Sequence, residues 1–190
     1  MLKLEDLIAG DLMMSHKKPE GFWGFVKKFF NWRLKRFSIR KYGKGCRYPH
    51  MDHDRRFMGW DENGVGYVGH WTDPAATYDE VEQWMIESTE EFEVHVFRPK
   101  VKTPPTTSDM FRYFAPHCGT LYDIFDLPAM EFGITKYFHG LGKKNMVCST
   151  GSRDWDEKLI FKRCIDPDLD PSDTPPCYGA QYPELYEQLM

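Results

Sequence analysis

Cys148 stands where a nucleophile could act. It lies in Asn145-Met146-Val147-Cys148-Ser149-Thr150-Gly151-Ser152, after an apolar pair and before a run of hydroxyl residues and glycine. A thiol attacks as its thiolate, so it needs a base within reach and positive local potential. A strand-to-helix junction supplies the potential through backbone N–H groups that have no helical partner. The base must come from elsewhere, and upstream His50, His53 and His70 form a histidine-rich strip. Without such partners a cysteine serves as a small buried apolar residue.

A hairpin would present the imidazoles. His53, Arg55, Phe57 and Gly59 fall on alternate positions, and Asp61-Glu62-Asn63-Gly64 holds the Asn-Gly pair of a tight turn. Val65 to Trp71 returns with His70 near its end. Such a hairpin can place a base on one strand and the group that orients it on the next. Cys46-x-x-x-His50-x-x-His53 also has zinc-ligand spacing, with Asp52 or Asp54 nearby. A structural zinc site needs a fourth ligand, and no second Cys or His pair supplies it, so no metal or other cofactor is assigned.

The remaining elements follow from pattern. Leu2 to Ile8 reads as a short amphipathic turn, and Gly10-Asp11 feeds a brief apolar strand through Met14. From Gly21 to Phe37, Phe22, Phe25, Phe29 and Trp32 recur three or four apart, as do Val26, Phe30 and Leu34, which predicts a helix with a wide apolar face. Thr77-Tyr78-Asp79-Glu80 has the capping-box pattern and predicts a helix running to about Ile86. Phe92 to Arg98 largely alternates and predicts a half-buried strand. Asp109 is expected to cap a helix carrying Phe111, Tyr113 and Phe114, and a further helical stretch is expected from Leu121 to about Phe132. Asp154-Trp155-Asp156-Glu157 reads as a helix start, and residues 166–190, rich in proline and aspartate, as an irregular tail.

Bulk properties bound the function classes. A chain of 190 residues is one domain with room for a proper core, and the many aromatics, 13 prolines and 15 glycines fit a loop-rich α+β protein. The net charge of −4 gives no overall pull toward nucleic acid. It is unevenly spread, because eleven basic residues against Glu20 alone make residues 17–47 +10 and leave −14 elsewhere. That basic, aromatic segment could meet an anionic polymer or a lipid surface, or lay a solvated basic face over a core-packed aromatic one. Five scattered cysteines are not a disulfide framework. Acidic residues where a secretory leader carries basic ones, and the lack of a long apolar run, lead us to expect a cytoplasmic location, or one within a virion.

In chain order, Gly10-Asp11-Leu12-Met13, His53 to Gly59, Gly66-Tyr67-Val68-Gly69-His70, Val94 to Arg98, Tyr122-Asp123 and Cys148-Ser149 resemble the circularly permuted NlpC-type papain-fold superfamily, in its YiiX-like and lecithin:retinol acyltransferase-like branches. The resemblance covers most of residues 5–160 as short motifs. It implies an α+β permuted papain-like fold, with a small antiparallel sheet and packed helices, over residues 1–165, and makes residues 17–47 a basic aromatic insertion. It implies Cys148 as nucleophile, His53 as base with His50 as the alternative, and His70 as third polar group. Tyr122, Asp123, Asp11 and Ser149 become candidates for the substrate cleft. The implied chemistry is a thioester acyl-enzyme formed from an amide or ester, with the Cys148 N–H donating to the oxyanion. The YiiX-like branch points to an amidase or peptidase of cell-wall peptides, and the other branch to a lipid acyltransferase or thioesterase. A third reading keeps the fold without the chemistry, as a structural part of a larger assembly such as a virion or tail.

Overall fold

Alternating side chains build one antiparallel sheet. The computed structural model describes residues 2–17, 24–72, 75–82, 92–120, 148–169 and 174–190. Its strands are β1 (Leu12–Lys17), β2 (His53–Trp60), β3 (Gly66–His70), β4 (Thr77–Glu80), β5 (Phe92–Pro99) and β6 (Tyr186–Gln188), in the spatial order β4-β3-β2-β1-β5-β6. With the helices α1 (Gly24–Tyr42), α2 (Thr107–Phe114) and α3 (Cys148–Trp155), the chain is an α+β protein. Among the described residues no helix is long and apolar enough to cross a membrane.

Register divides the strands between two faces. Ser15 lies opposite His53 and Met13 opposite Arg55, so these four share a side of the sheet. On that side Leu7, Met13, Phe57, Val68, Val81 and Val96 form an apolar cluster. On the other side Leu12, Met14, Phe97, Cys177 and Tyr186 form a second cluster. A third gathers Met58, Trp71, Met110, Phe114 and Trp155 under α2 and α3. Each fully buried side chain of this size contributes about 1.5–3 kcal/mol, so both faces anchor the strands that carry the histidines. Two glycines permit the close packing. Gly59 (φ 119°) sits at a bulge in β2, where a Cβ would run into the side chain of Thr107 in α2. Gly151 lets α3 rest directly on the Trp71 ring, which a Cβ would overlap.

Several expectations are corrected. Thr77–Glu80 is a strand and not a helix start, because it pairs along the free edge of β3, with His70 opposite Thr77 and Tyr67 opposite Glu80. The continuation to Ile86 lies largely outside the described residues, as does the helix expected at 121–132. The cap of α2 is Thr106, whose hydroxyl accepts from the Asp109 N–H, while Asp109 accepts from the Thr106 N–H in return. Asp154 does not start a helix but lies within α3, Cys148–Trp155.

Residues 174–190, within the stretch expected to be an irregular tail, pack into the fold. Tyr186–Gln188 extends the sheet beside β5, and Cys177, Tyr178 and Ala180 are buried. Arg153 of α3 fastens the preceding stretch, donating to the backbone oxygens of Asp166 and Leu169. The basic helix runs on to Tyr42, where Gly43 (φ 78°) ends it. Its Phe37 is buried, whereas Phe29 and Trp32 are 46% and 50% exposed, so part of the aromatic face is solvated.

Candidate active site

The site is assembled at the ends of β2 and β3 and at the start of α3. Cys148 opens α3 and is 2% exposed. Its Sγ lies 4.0 Å from the carbonyl oxygen of Asp52, the residue immediately before His53. The helix start adds partial positive charge at the thiol. Ser149, a cleft candidate, spends its hydroxyl on the Thr174 carbonyl at 2.5 Å.

His53 and His70 meet across the hairpin, with His53 Nε2 3.0 Å from His70 Nδ1. His70 Nε2 lies 2.8 Å from Asp79 Oδ2 on β4. This sequence of contacts fixes where the protons sit. The bond from His70 holds the Asp79 carboxyl below its usual range, so Asp79 is ionised and only accepts. Nε2 of His70 therefore carries hydrogen and its Nδ1 accepts. His53 Nε2 must then donate, which leaves His53 Nδ1 with the lone pair of a base. Burial pushes the His53 imidazole well below its ordinary value, with the charges of Arg55 and His70 adding to the effect. Burial also lowers His70, against the pull of Asp79. Both rings are neutral at neutral pH, as a general base must be before it acts.

Arg55 supplies fixed positive charge. It shares the His53 face, and its Nη1 donates to Ser15 Oγ at 2.8 Å. Burial draws its guanidinium down to about 10, opposed first by the Cys148 sulfur and then by Asp79, Asp52 and Asp54. A thiolate at Cys148 is thus within the field of a cation that remains charged at neutral pH.

The other sequence candidates go elsewhere. His50 Nε2 lies 3.1 Å from both carboxylate oxygens of Glu93, which also binds His95. Cys46 contacts Cys177, so the Cys46, His50 and His53 of the zinc-like spacing turn to three different partners. Asp11 is fully buried in an ion pair with Arg98, at 3.0 and 2.8 Å, and also accepts the Ile8 N–H. It serves the turn before β1 and does not line a cleft. Tyr122 and Asp123 lie outside the described residues.

Sequence reasoning missed Asp79 and Arg55. Asp79 was hidden inside a helix-capping pattern. Arg55 was legible, since it stands two positions after His53 and so on the same side of the strand. Comparison with protein-family models, curated proteins and solved structures returned no match to this chain.

Proposed function

We propose that the chain is a cysteine-dependent amidase or peptidase with a permuted, NlpC-type papain-like fold, and that its substrates are cell-wall peptides. The observation that carries this reading is the series Asp79–His70–His53, whose proton order leaves His53 Nδ1 basic, on the strand whose first neighbour touches Cys148 Sγ. In the reaction Cys148 loses its proton to His53 and its sulfur adds to the amide carbonyl. The Cys148 N–H receives the oxyanion and the Arg55 charge favours the anionic sulfur. The tetrahedral adduct collapses as His53 returns the proton to the leaving amine, giving a thioester. Water, deprotonated by the same imidazole, then releases the acid and restores the thiol.

The test is alkylation by iodoacetamide followed by peptide mapping. Cys148 should react at least tenfold faster than the other four thiols in the presence of His53, and lose that advantage in His53→Gln. A Cys148 no faster than the rest would sink the catalytic reading and favour a structural role for the fold. Murein peptides should then be cleaved with a covalent acyl adduct visible by mass spectrometry.

A lipid acyltransferase or thioesterase is the second reading, favoured by one observation. Phe29 and Trp32 are half-exposed on α1, with the Arg33 and Arg36 guanidinia over their rings at 5.3 and 4.9 Å. Cations and aromatics on one solvated helix suit an anionic lipid surface. Release of fatty acid from phospholipid vesicles, with no cleavage of murein peptide, decides for it.

A further inference from the structure

The chain contains five cysteines and no disulfide joins any of them. Two of them, 131 positions apart, are in contact: Cys46 Sγ and Cys177 Sγ lie 3.6 Å from each other. A disulfide requires about 2.0 Å, so a closure of about 1.6 Å between two side chains would form it. The backbones around the pair are already held together. The Arg47 N–H donates to Gln181 Oε1 at 3.0 Å, and Gln181 Nε2 donates to the Arg47 carbonyl at 2.8 Å. Arg47 Nη2 donates to Gln188 Oε1 at 2.7 Å, and the Tyr48 hydroxyl to the same oxygen at 3.0 Å.

The two sulfurs differ in access and in acidity. Cys46 is partly exposed in the loop after α1, whereas Cys177 is fully buried. The hydrogen bond between them lowers the Cys46 thiol and raises that of Cys177. That is the division expected of an attacking sulfur and a resolving one.

We infer that Cys46 and Cys177 form a reversible dithiol–disulfide pair that exchanges with small-molecule disulfides of the glutathione class. The Cys46 thiolate attacks one sulfur of the glutathione disulfide, forming a mixed disulfide and expelling one glutathione thiolate, which takes up the proton Cys46 lost. Cys177, on losing its proton, attacks the Cys46 sulfur of that mixed disulfide. The Cys46–Cys177 bond forms and the second glutathione leaves as thiolate, to be protonated in turn. The protein dithiol is oxidised by two electrons and the glutathione disulfide is reduced by two.

The bond would tie the loop leading into β2 to the stretch around Thr174, whose carbonyl accepts the Ser149 hydroxyl beside Cys148. Both sides of the candidate site would be stapled. The chemistry is independent of Cys148, so it is tested in the Cys148→Ala chain. This chain is incubated with graded ratios of oxidised to reduced glutathione, and the remaining thiols are alkylated and mapped. The expected result is a non-reduced peptide joining Cys46 to Cys177, reversed by excess reduced glutathione, with Cys118 and Cys164 still alkylated. The oxidised protein should melt about 5–12 °C higher than the reduced one. In Cys177→Ser, Cys46 should stop at the mixed disulfide and carry one glutathione. Full alkylation of both Cys46 and Cys177 after oxidation, or failure of Cys46 to retain glutathione in Cys177→Ser, overturns the inference.

Discussion

Two charged networks start from opposite faces of β2 and share almost nothing else. His53 and Arg55 project from one side of the strand, and Asp54 and Arg56 from the other. Arg56 is fully buried and donates to the Gly10 carbonyl, to Asp156 and to the hydroxyls of Tyr178 and Tyr186. Asp156 in turn accepts from both tyrosines. Burial raises its carboxyl and the Arg56 cation pulls it back, so the pair stays ionic. The network is closed: its charges face each other, and both side chains are fully buried. The Asp79–His70–His53 series is open at both ends, since the Asp79 side chain is 49% exposed and His53 ends in an unprotonated nitrogen. A closed network holds a fold, and an open one can move a proton. The strand carries both because successive side chains point to opposite faces.

That contrast can be broken by substitution. The largest effect should come from Cys148→Ala, which removes the nucleophile proposed above. Turnover should fall by about 10⁴-fold or more, with the melting temperature unchanged within a few degrees. Loss of both activity and fold would mean that the cysteine belongs to the core. Next, Arg56→Ala should cost about 3–5 kcal/mol in urea unfolding by stranding Asp156 without its cation. Arg56→Met combined with Asp156→Leu should recover most of that loss, which a purely steric role for Arg56 would not allow.

Asp79→Asn should be a smaller change and an opposite one in kind. It leaves stability within about 1 kcal/mol, since the carboxylate is half-exposed. Turnover should drop by about 10²-fold, because an amide no longer dictates which nitrogen of His70 holds hydrogen. Equal losses of stability and turnover would show that β4 is only a structural edge.

The smallest effect is on the pH dependence of unfolding. The folded-state values of His53 and His70 are depressed below the ordinary 6.5, mainly by burial. Their contribution to stability is therefore complete above about 6.5 and is lost as pH falls below it, because the unfolded chain takes up protons first. Asp54 has the reverse sign. Burial raises its carboxyl, and neither oxygen has a hydrogen-bond partner among the described residues, so its contribution is present below 3.8 and is lost as pH rises above it. Comparing urea midpoints at pH 7.5 and 5.5, wild type should lose about 1 kcal/mol more than His53→Gln. The Asp54 contribution is common to both proteins and cancels.

The strands with clear alternation and a marked turn were legible in advance: β1 after Gly10-Asp11, the β2–β3 hairpin around Asn63-Gly64, and β5. What misled was local chemistry with two uses. Thr77-x-x-Glu80 caps a helix as readily as it pairs at an edge, and only the open backbone of β3 decided between them. Proline and aspartate in residues 166–190 suggested an irregular tail. Yet Tyr178, Tyr182 and Tyr186 recur every four residues there, which was the available sign of a packed segment. The Asp156 pairing with Arg56 spans 100 positions and left no trace in local pattern. In the candidate site, the hairpin that brings His53 to His70 was legible, but the Asp79 carboxylate that orders their protons was not.

The partners of Arg56 also set a timetable. Asp156, Tyr178 and Tyr186 follow it by 100, 122 and 130 positions. On a translating ribosome the strand emerges long before these three partners, so the network around its guanidinium is completed last. Completion waits for the final tyrosine, which makes folding late and slow, in keeping with such distant pairings. A chain released early, without Tyr186, should be handed to proteases as an unfinished sheet.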